Sequence, residues 1–245
     1  MDDLLLWQYI SIAMIFVWTG FVRSGLGFGG AALGLPLLLL VVDNPLIFIP
    51  LIGVHLLFFS AITVGNKIGN VDWSFLKMAF AVMIIPKLIG VFGLLTLPTI
   101  WMTVFVYSMT LFYGCCYLFK YQIKSQHAWV DYILLMIGAY VSGTSLIGAP
   151  LIVAVVLRRV SKSQMRDTLF VLWSVLVSIK LAVLGYADVE FWWWYQWWLL
   201  PCAAIGHVIG LKMHDKLMHG DAETFKQWIG AVLIVICVVG LWRYV

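Results

Sequence analysis

Two apolar stretches are interrupted by nearly the same cluster of small residues, Ser24-Gly25-Leu26-Gly27-Phe28-Gly29-Gly30 and Ser142-Gly143-Thr144-Ser145-Leu146-Ile147-Gly148-Ala149-Pro150, 118 residues apart at the Ser-Gly. Glycine lets backbone N–H groups approach a ligand closely, and a helix that restarts after a break aims its positive end at whatever sits there. The chemistry this suits is the holding of a small anion. Gly25, Gly27, Gly29, Gly30, Gly143 and Gly148 would supply close backbone, and Ser24, Ser142, Thr144 and Ser145 hydroxyl donors. The plainer role of Gly and Ser is to let helices pack closely. Arg23, just before the first cluster, is a sharper signal. A cation deep in a membrane costs about 2.5–3.5 kcal/mol on insertion scales, so it needs a carbonyl, a carboxylate, a wet cavity or an anion. Lys87, which follows Pro86, and Lys180 are further candidates, each long enough to snorkel to an interface instead. His55 and His207 are the other ionisable groups inside apolar runs, read either as hydrogen-bonded packing residues or as proton-linked groups.

The elements that must position these residues follow from composition. With 64% hydrophobic residues, 11% charged and 13 Trp in 245 residues, and a mean hydropathy of +1.04, the chain reads as an all-α polytopic membrane protein. Apolar runs cover 4–42, 45–65, 74–95, 100–119, 132–157, 168–186, 191–213 and 227–245, most of them near the ~20 residues a helix needs to cross a bilayer. Met1-Asp2-Asp3 runs straight into leucines without a basic region, so the start is expected to persist in the mature protein. Cys115, Cys116, Cys202 and Cys237 lie inside apolar runs without metal or redox spacing and read as small buried hydrophobes.

The run 4–42 is too long for one span, at about 57 Å as a helix. It must break near Arg23, and 132–157 breaks likewise, into halves of about 12 residues. Each break is expected to form short helices in a re-entrant hairpin or a discontinuous span. Irregular backbone at membrane depth is tolerated only where protein or a wet cavity surrounds it, so both breaks belong in the interior, facing each other or a substrate. Gly20, Ser24, Gly25, Gly30 and Leu33 match Gly138, Ser142, Gly143, Gly148 and Leu151 at a constant offset of 118. Asn70-Val71-Asp72-Trp73 matches Asp188-Val189-Glu190-Phe191 at the same offset, and Pro86, Gly90 and Gly93 resemble Pro201, Gly206 and Gly210 at offsets of 115 to 117. Two repeats are expected, 1–119 and 129–245, joined by a cytoplasmic linker at 120–128, each with a broken or re-entrant helix plus three full transmembrane helices.

Lysine and arginine placement supports opposite orientations for the two repeats. With hairpin breaks, Lys67, Lys120, Lys124, Arg158, Arg159, Lys162, Arg166, Lys212, Lys216 and Lys226 fall inside, and only Arg243 falls outside. Trp192 to Trp194, Tyr195, Trp197 and Trp198 then form an aromatic belt at the outer interface.

Gly25-Leu26-Gly27-Phe28-Gly29-Gly30 also satisfies G-x-G-x-x-G, but no strand precedes it and no βαβ pattern follows, so a dinucleotide fingerprint is rejected. The sequence has no GKS/T phosphate loop, no metal-ligand cluster and no paired carboxylates in a polar cleft. An enzyme, a metal site, a cofactor and nucleic-acid binding are therefore not expected. All eleven Asp and Glu fall near span ends or in loops, leaving no obvious carboxylate to carry a coupling proton.

A Gly-rich break reaching Pro36 and Pro150, the loop Gly69-Asn70-Val71-Asp72-Trp73, and the spans running on from Pro86 and Pro201 together resemble the sulfite exporter TauE/SafE family over nearly the whole chain. The resemblance implies a multi-pass permease of a bacterial or organellar inner membrane, carrying small anions, notably sulfite and organic sulfonates. Arg23 departs from the family's pattern, which leaves substrate choice open. The reading is a secondary transporter, an exporter driven by membrane potential, with its site between the two Gly-rich breaks and with a small anion and the lipid bilayer as partners. An uptake carrier for the same anions and a non-transport accessory or assembly subunit are the alternatives, and homo-oligomerisation is left open.

Overall fold

The computed structural model describes residues 4–26, 30–65, 67–121, 123–124, 127–219 and 222–244. Gly27 and Gly29 lie outside them. Unbroken apolar sequence can satisfy its backbone in lipid only by helix formation, and the described residues form helices without strands. These are α1 (Leu6–Leu26), α2 (Gly30–Val41), α3 (Pro45–Val64), α4 (Trp73–Thr96), α5 (Thr99–Leu118), α6 (Ala128–Ser145), α7 (Ala149–Arg159), α8 (Lys162–Tyr186), α9 (Trp193–His219) and α10 (Ala222–Trp242). Polar and proline residues set the ends. Asn44 Oδ1 accepts from Leu46 N at 3.0 Å as Pro45 opens α3, and Asp72 caps α4 by accepting from Phe75 N at 2.9 Å. Five helices are long and apolar enough to cross a membrane: Leu6–Gly25, Pro45–Val64, Trp73–Thr96, Thr99–Leu118 and Lys162–Tyr186. Their apolar faces point outward. On α4, Ile85, Ile89 and Phe92 are exposed while Met83, Lys87, Gly90, Val91 and Leu94 are buried, the arrangement of an integral multi-pass membrane protein rather than of a helix in water.

Both expected breaks are present, and both are antiparallel hairpins. In the first, Gln8 Nε2 donates to Val41 O at 3.1 Å, so α2 ends beside the start of α1. In the second, Arg158 and Arg159, at the end of α7, both pair with Asp131 in the first turn of α6. The arms are unequal, however, which corrects the expectation of two short helices. At 21 residues α1 is about 31 Å long and fit to cross the bilayer, whereas the 12 residues of α2 and 11 of α7 reach only about 16–18 Å. The second run also starts four residues earlier than its apolar stretch, at Ala128, because the arginines neutralise Asp131 and let the helix continue across a charge.

The helices form two compact units, and each draws on both halves of the sequence. Unit 1 comprises Met1–Phe48, Thr99–Gln122 and Trp192–Val245. Here the α1–α2 hairpin packs along α9, and α10 lies against α5 and α2. Val22, Leu33, Ile229 and Leu233 form its buried cluster, lined by Trp18, Phe21 and Tyr117. Unit 2 comprises Ile49–Pro98 and Ile123–Phe191. Here the α6–α7 hairpin packs along α4, and α8 lies against α4 and α7. The Gly-Asn-Val-Asp-Trp loop is tied to the start of α8: Asn70 Nδ2 donates to Asp167 Oδ2 at 2.7 Å and to Ser163 O at 2.8 Å, and Asp72 N donates to Thr168 Oγ1 at 3.0 Å.

In each unit, then, a broken hairpin is gripped by the fourth helix of the opposite sequence half. The grip is made by glycine. A Cβ on Gly210 would meet Phe21 O at 2.5 Å and Gly25 N at 2.9 Å, while one on Gly90 would meet Gly143 Cα at 3.0 Å and the carbonyl of Tyr140. These contacts make Gly90 the counterpart of Gly210, 120 residues on, the same spacing as between Trp73 and Trp193, which open α4 and α9. The pairing of Gly90 with Gly206 read from the sequence is therefore displaced. Matching glycines by type misses the extra residues ahead of α9, where Trp192 takes φ 51.

Replacing Gly206 by Ala, whose Cβ would strike the Val17 carbonyl, is expected to lower stability in detergent by about 1–3 kcal/mol, whereas Gly69→Ala, which faces open space, leaves the melting temperature unchanged. The Asp131 clamp gives an asymmetric result. Asp131 is fully buried and its arginines are about one-third exposed. Converting both arginines to Met strands a buried carboxylate and is expected to cost about 3–5 kcal/mol; adding Asp131→Asn to that double variant should restore most of the loss in the same thermal assay.

Candidate functional site

The second break can be followed atom by atom. Ser142 lies in the last turn of α6, whose C-cap, Leu146, adopts the left-handed conformation (φ 64°) and returns its N–H to Ser142 O at 3.2 Å. A β-branch-free but non-glycine residue in that region is strained. Gly148 follows as the N-cap of α7, pressed so close to the Gly138 carbonyl that a Cβ has no room. Pro150 stands in the first turn of α7, where its missing N–H is not needed. Lys87, from α4, completes the turn: its ammonium donates to Ser142 O and to Ser142 Oγ, both at 2.9 Å. Its cation thus meets the carbonyl end of α6, where the helix dipole favours positive charge.

The first break repeats the theme with a different base. Ser24, in the last turn of α1, shares a short hydrogen bond with His207 Nδ1 of α9. His207 stands three residues before Gly210 as Lys87 stands three before Gly90, so Lys87–Ser142 and His207–Ser24 are counterparts. The sequence reading named all four residues, yet grouped the serines with the glycines and left the bases apart. The periodic signal that joins them, a basic residue three before a glycine, is visible only once the register is known.

The remaining candidates fall into distinct places. Arg23 is half-buried in the last turn of α1, its Cβ lying 3.0 Å from where a Cβ on Gly30 would be. Gly25 is buried beside Gly210. Gly143 is packed on the backbone of Lys87 and Gly90. Thr144 and Ser145 are buried, and each donates its hydroxyl proton to Val141 O at 2.9 Å; with that proton engaged, only lone pairs remain for another group. His55 is buried in α3. Lys180, in α8, is fully buried, as is Lys87, so neither snorkels. Lys180 Nζ has no hydrogen-bond partner among the described residues. No cluster fit to hold a metal occurs among the described residues. Asp131 escaped the sequence reading as a structural centre, since its position just outside an apolar run gave no hint of the two arginines that bury it.

Outward apolar faces, spanning helices, and two broken hairpins gripped at Ser-Gly turns by basic side chains define a polytopic membrane protein of transporter type. The sequence model of the sulfite exporter TauE/SafE family matches residues 12–240. The chain belongs to that family, whose members move sulfur anions across membranes. No curated protein and no solved structure gives a match.

Ser142→Ala removes one of the two acceptors that hold Lys87. It is expected to cost about 1.5–3 kcal/mol in detergent unfolding, as for a hydrogen bond to a charged group. Ser11→Ala, which removes an exposed hydroxyl bonded within its own helix, serves as the comparison and should change nothing.

Proposed function

We propose that the protein is a secondary transporter that exports small sulfur anions such as sulfite or sulfonates across an inner membrane, driven by the membrane potential. The observation that carries this reading is the distribution of charge. Lys87 and Lys180 are fully buried within helices, and Arg23 and His207 stand at the first break. The described carboxylates lie instead near helix ends or between helices, at Asp43, Asp72, Asp131, Asp167, Asp188 and Glu190. Such an interior attracts an anion, and the described carboxylates that are buried, Asp131 and Asp167, are engaged by Arg158, Arg159 and Asn70 rather than placed at the buried lysines. With the cell interior negative, moving one negative charge outward is favourable by about 2.3 kcal/mol per 100 mV, so export needs no coupling ion. The equal and opposite roles of the two hairpins in an inverted repeat, with the lysine- and arginine-rich loops inside, supply the alternating access this requires. His55 and His207 are the groups through which a proton-linked version would run.

The test is flux in proteoliposomes of the full chain, loaded with sulfite, thiosulfate, sulfate, small sulfonates or a cationic control, under potentials of both signs. Saturable anion flux that accelerates when the receiving side is positive, with none of the cation, is expected. A strict requirement for a proton gradient at clamped potential would replace the potential-driven version by the histidine-linked one. Folded protein that moves no anion would make it an accessory subunit instead.

A further inference from the structure

Lys87 and Lys180 lie at similar depths in unit 2. Asp72 N bonds Thr168 Oγ1 and so marks one level on both helices. Lys87 is 15 residues beyond Asp72 and Lys180 is 12 beyond Thr168, which places them about 22 and 18 Å further along α4 and α8. These helices pack together. Both side chains are fully buried. Their situations nevertheless differ. Lys87 spends two N–H donors on Ser142 and offsets the carbonyl end of α6, which accounts for it as a structural cation. Lys180 Nζ, fully buried, has no hydrogen-bond partner among the described residues. Nor does the repeat demand a lysine there, because the residue 118 positions earlier, in α3, is Ile62. An ammonium has three donors, so one on Lys87 and three on Lys180 remain for an acceptor. A ligand that brings two negative charges would take up these donors and keep both buried lysines protonated.

We infer that Lys87 and Lys180 together form one binding site inside unit 2 for a doubly charged sulfur oxyanion, and that Lys180 sets a preference for dianions over monoanionic sulfonates. This deepens the transporter reading and rests on it. Lys87 anchors the site to the break through Ser142, and Lys180 supplies the second charge.

The experiment uses thiosulfate as the dianion and methanesulfonate as the monoanion, with two readouts on the full chain: ligand-induced thermal stabilisation in detergent, and half-saturation of flux in proteoliposomes. The wild type should bind thiosulfate more tightly than methanesulfonate. Lys180→Gln should weaken thiosulfate by about 30-fold or more while leaving methanesulfonate nearly unchanged. Lys180→Met, which fits the apolar surroundings without a charge, repeats the test should the Gln variant fold poorly, and Lys180→Arg should keep the preference. Equal affinity for the two anions in the wild type, or unchanged thiosulfate affinity in folded Lys180→Gln or Lys180→Met, overturns the inference. The two readouts separate the claims. Flux without dianion preference removes the site and keeps the carrier, whereas dianion-selective stabilisation without flux keeps the site and removes the carrier.

Discussion

A helix that stops inside hydrocarbon leaves carbonyls at one end and amides at the next with no water to take them up. The structure is organised around meeting that demand twice. At the second break, the Ser142 carbonyl is taken by Leu146 N–H and by the Lys87 ammonium, and α7 restarts at once from Gly148 with proline in its first turn. At the first break, His207 reaches the equivalent serine. For those bases to reach, the helices that carry them must lie almost backbone to backbone with the hairpins, and Gly90, Gly143, Gly206 and Gly210 exist at the points where a Cβ would collide with main chain. The glycines thus serve close packing first. The same packing brings the basic residues Lys87 and His207 to the breaks.

The same arrangement explains why the compact units are not the halves of the sequence. A broken hairpin has one short arm and cannot cover its own terminus, so it needs a full-length helix alongside. That helix is α9 for the α1–α2 hairpin and α4 for α6–α7. The first pairing joins residues as distant as Tyr9 and Tyr195, whose hydroxyls meet across a separation of 186. Closing so long a loop is slow compared with local pairing, and the N-terminal hairpin waits for most of the chain before its partner is available. The second pairing is much shorter in sequence, Lys87 to Ser142 being 55 residues, so it closes a shorter loop, although the two segments of unit 2 are separated by α5, which belongs to unit 1.

Charge is used in two ways that must be kept apart. Near the helix ends, Asp131 joins α6 to α7 through two arginines, Asp167 accepts from Asn70 and so fastens the loop after α3 to the start of α8, and Asp72 caps α4. In these places each carboxylate has its own partner, and the cations beside Asp131 still reach water. Deep in the helices the signs are unbalanced. Lys87 is compensated by a helix terminus, and Lys180 has no hydrogen-bond partner among the described residues. The first kind of charge holds hairpins shut at their polar ends; the second is the basis of the anion site proposed above.

Much of this was legible from residues alone. Long apolar runs with few charges specify spanning helices in any context, because lipid offers the backbone no alternative partner. The repeated Ser-Gly cluster located both breaks, and its 118-residue offset brought Ser24 and Ser142 into correspondence. Register on the opposing helices was not legible. Gly90, Gly206 and Gly210 are indistinguishable as letters, and only the main-chain atoms each one touches show that Gly90 answers to Gly210. The partner of Asp131 was hidden for the same reason, since the arginines that bury it lie 27 and 28 residues away. What the sequence by itself determined is the class of protein and the places where helices must break, both of which follow from local composition acting against a bilayer; that Lys87 and Lys180 are buried rather than snorkelling came from the structure. Which cation serves a helix end and which is left without a partner was decided by tertiary structure, because hydrogen bonds between helices depend on distances that chain order does not contain.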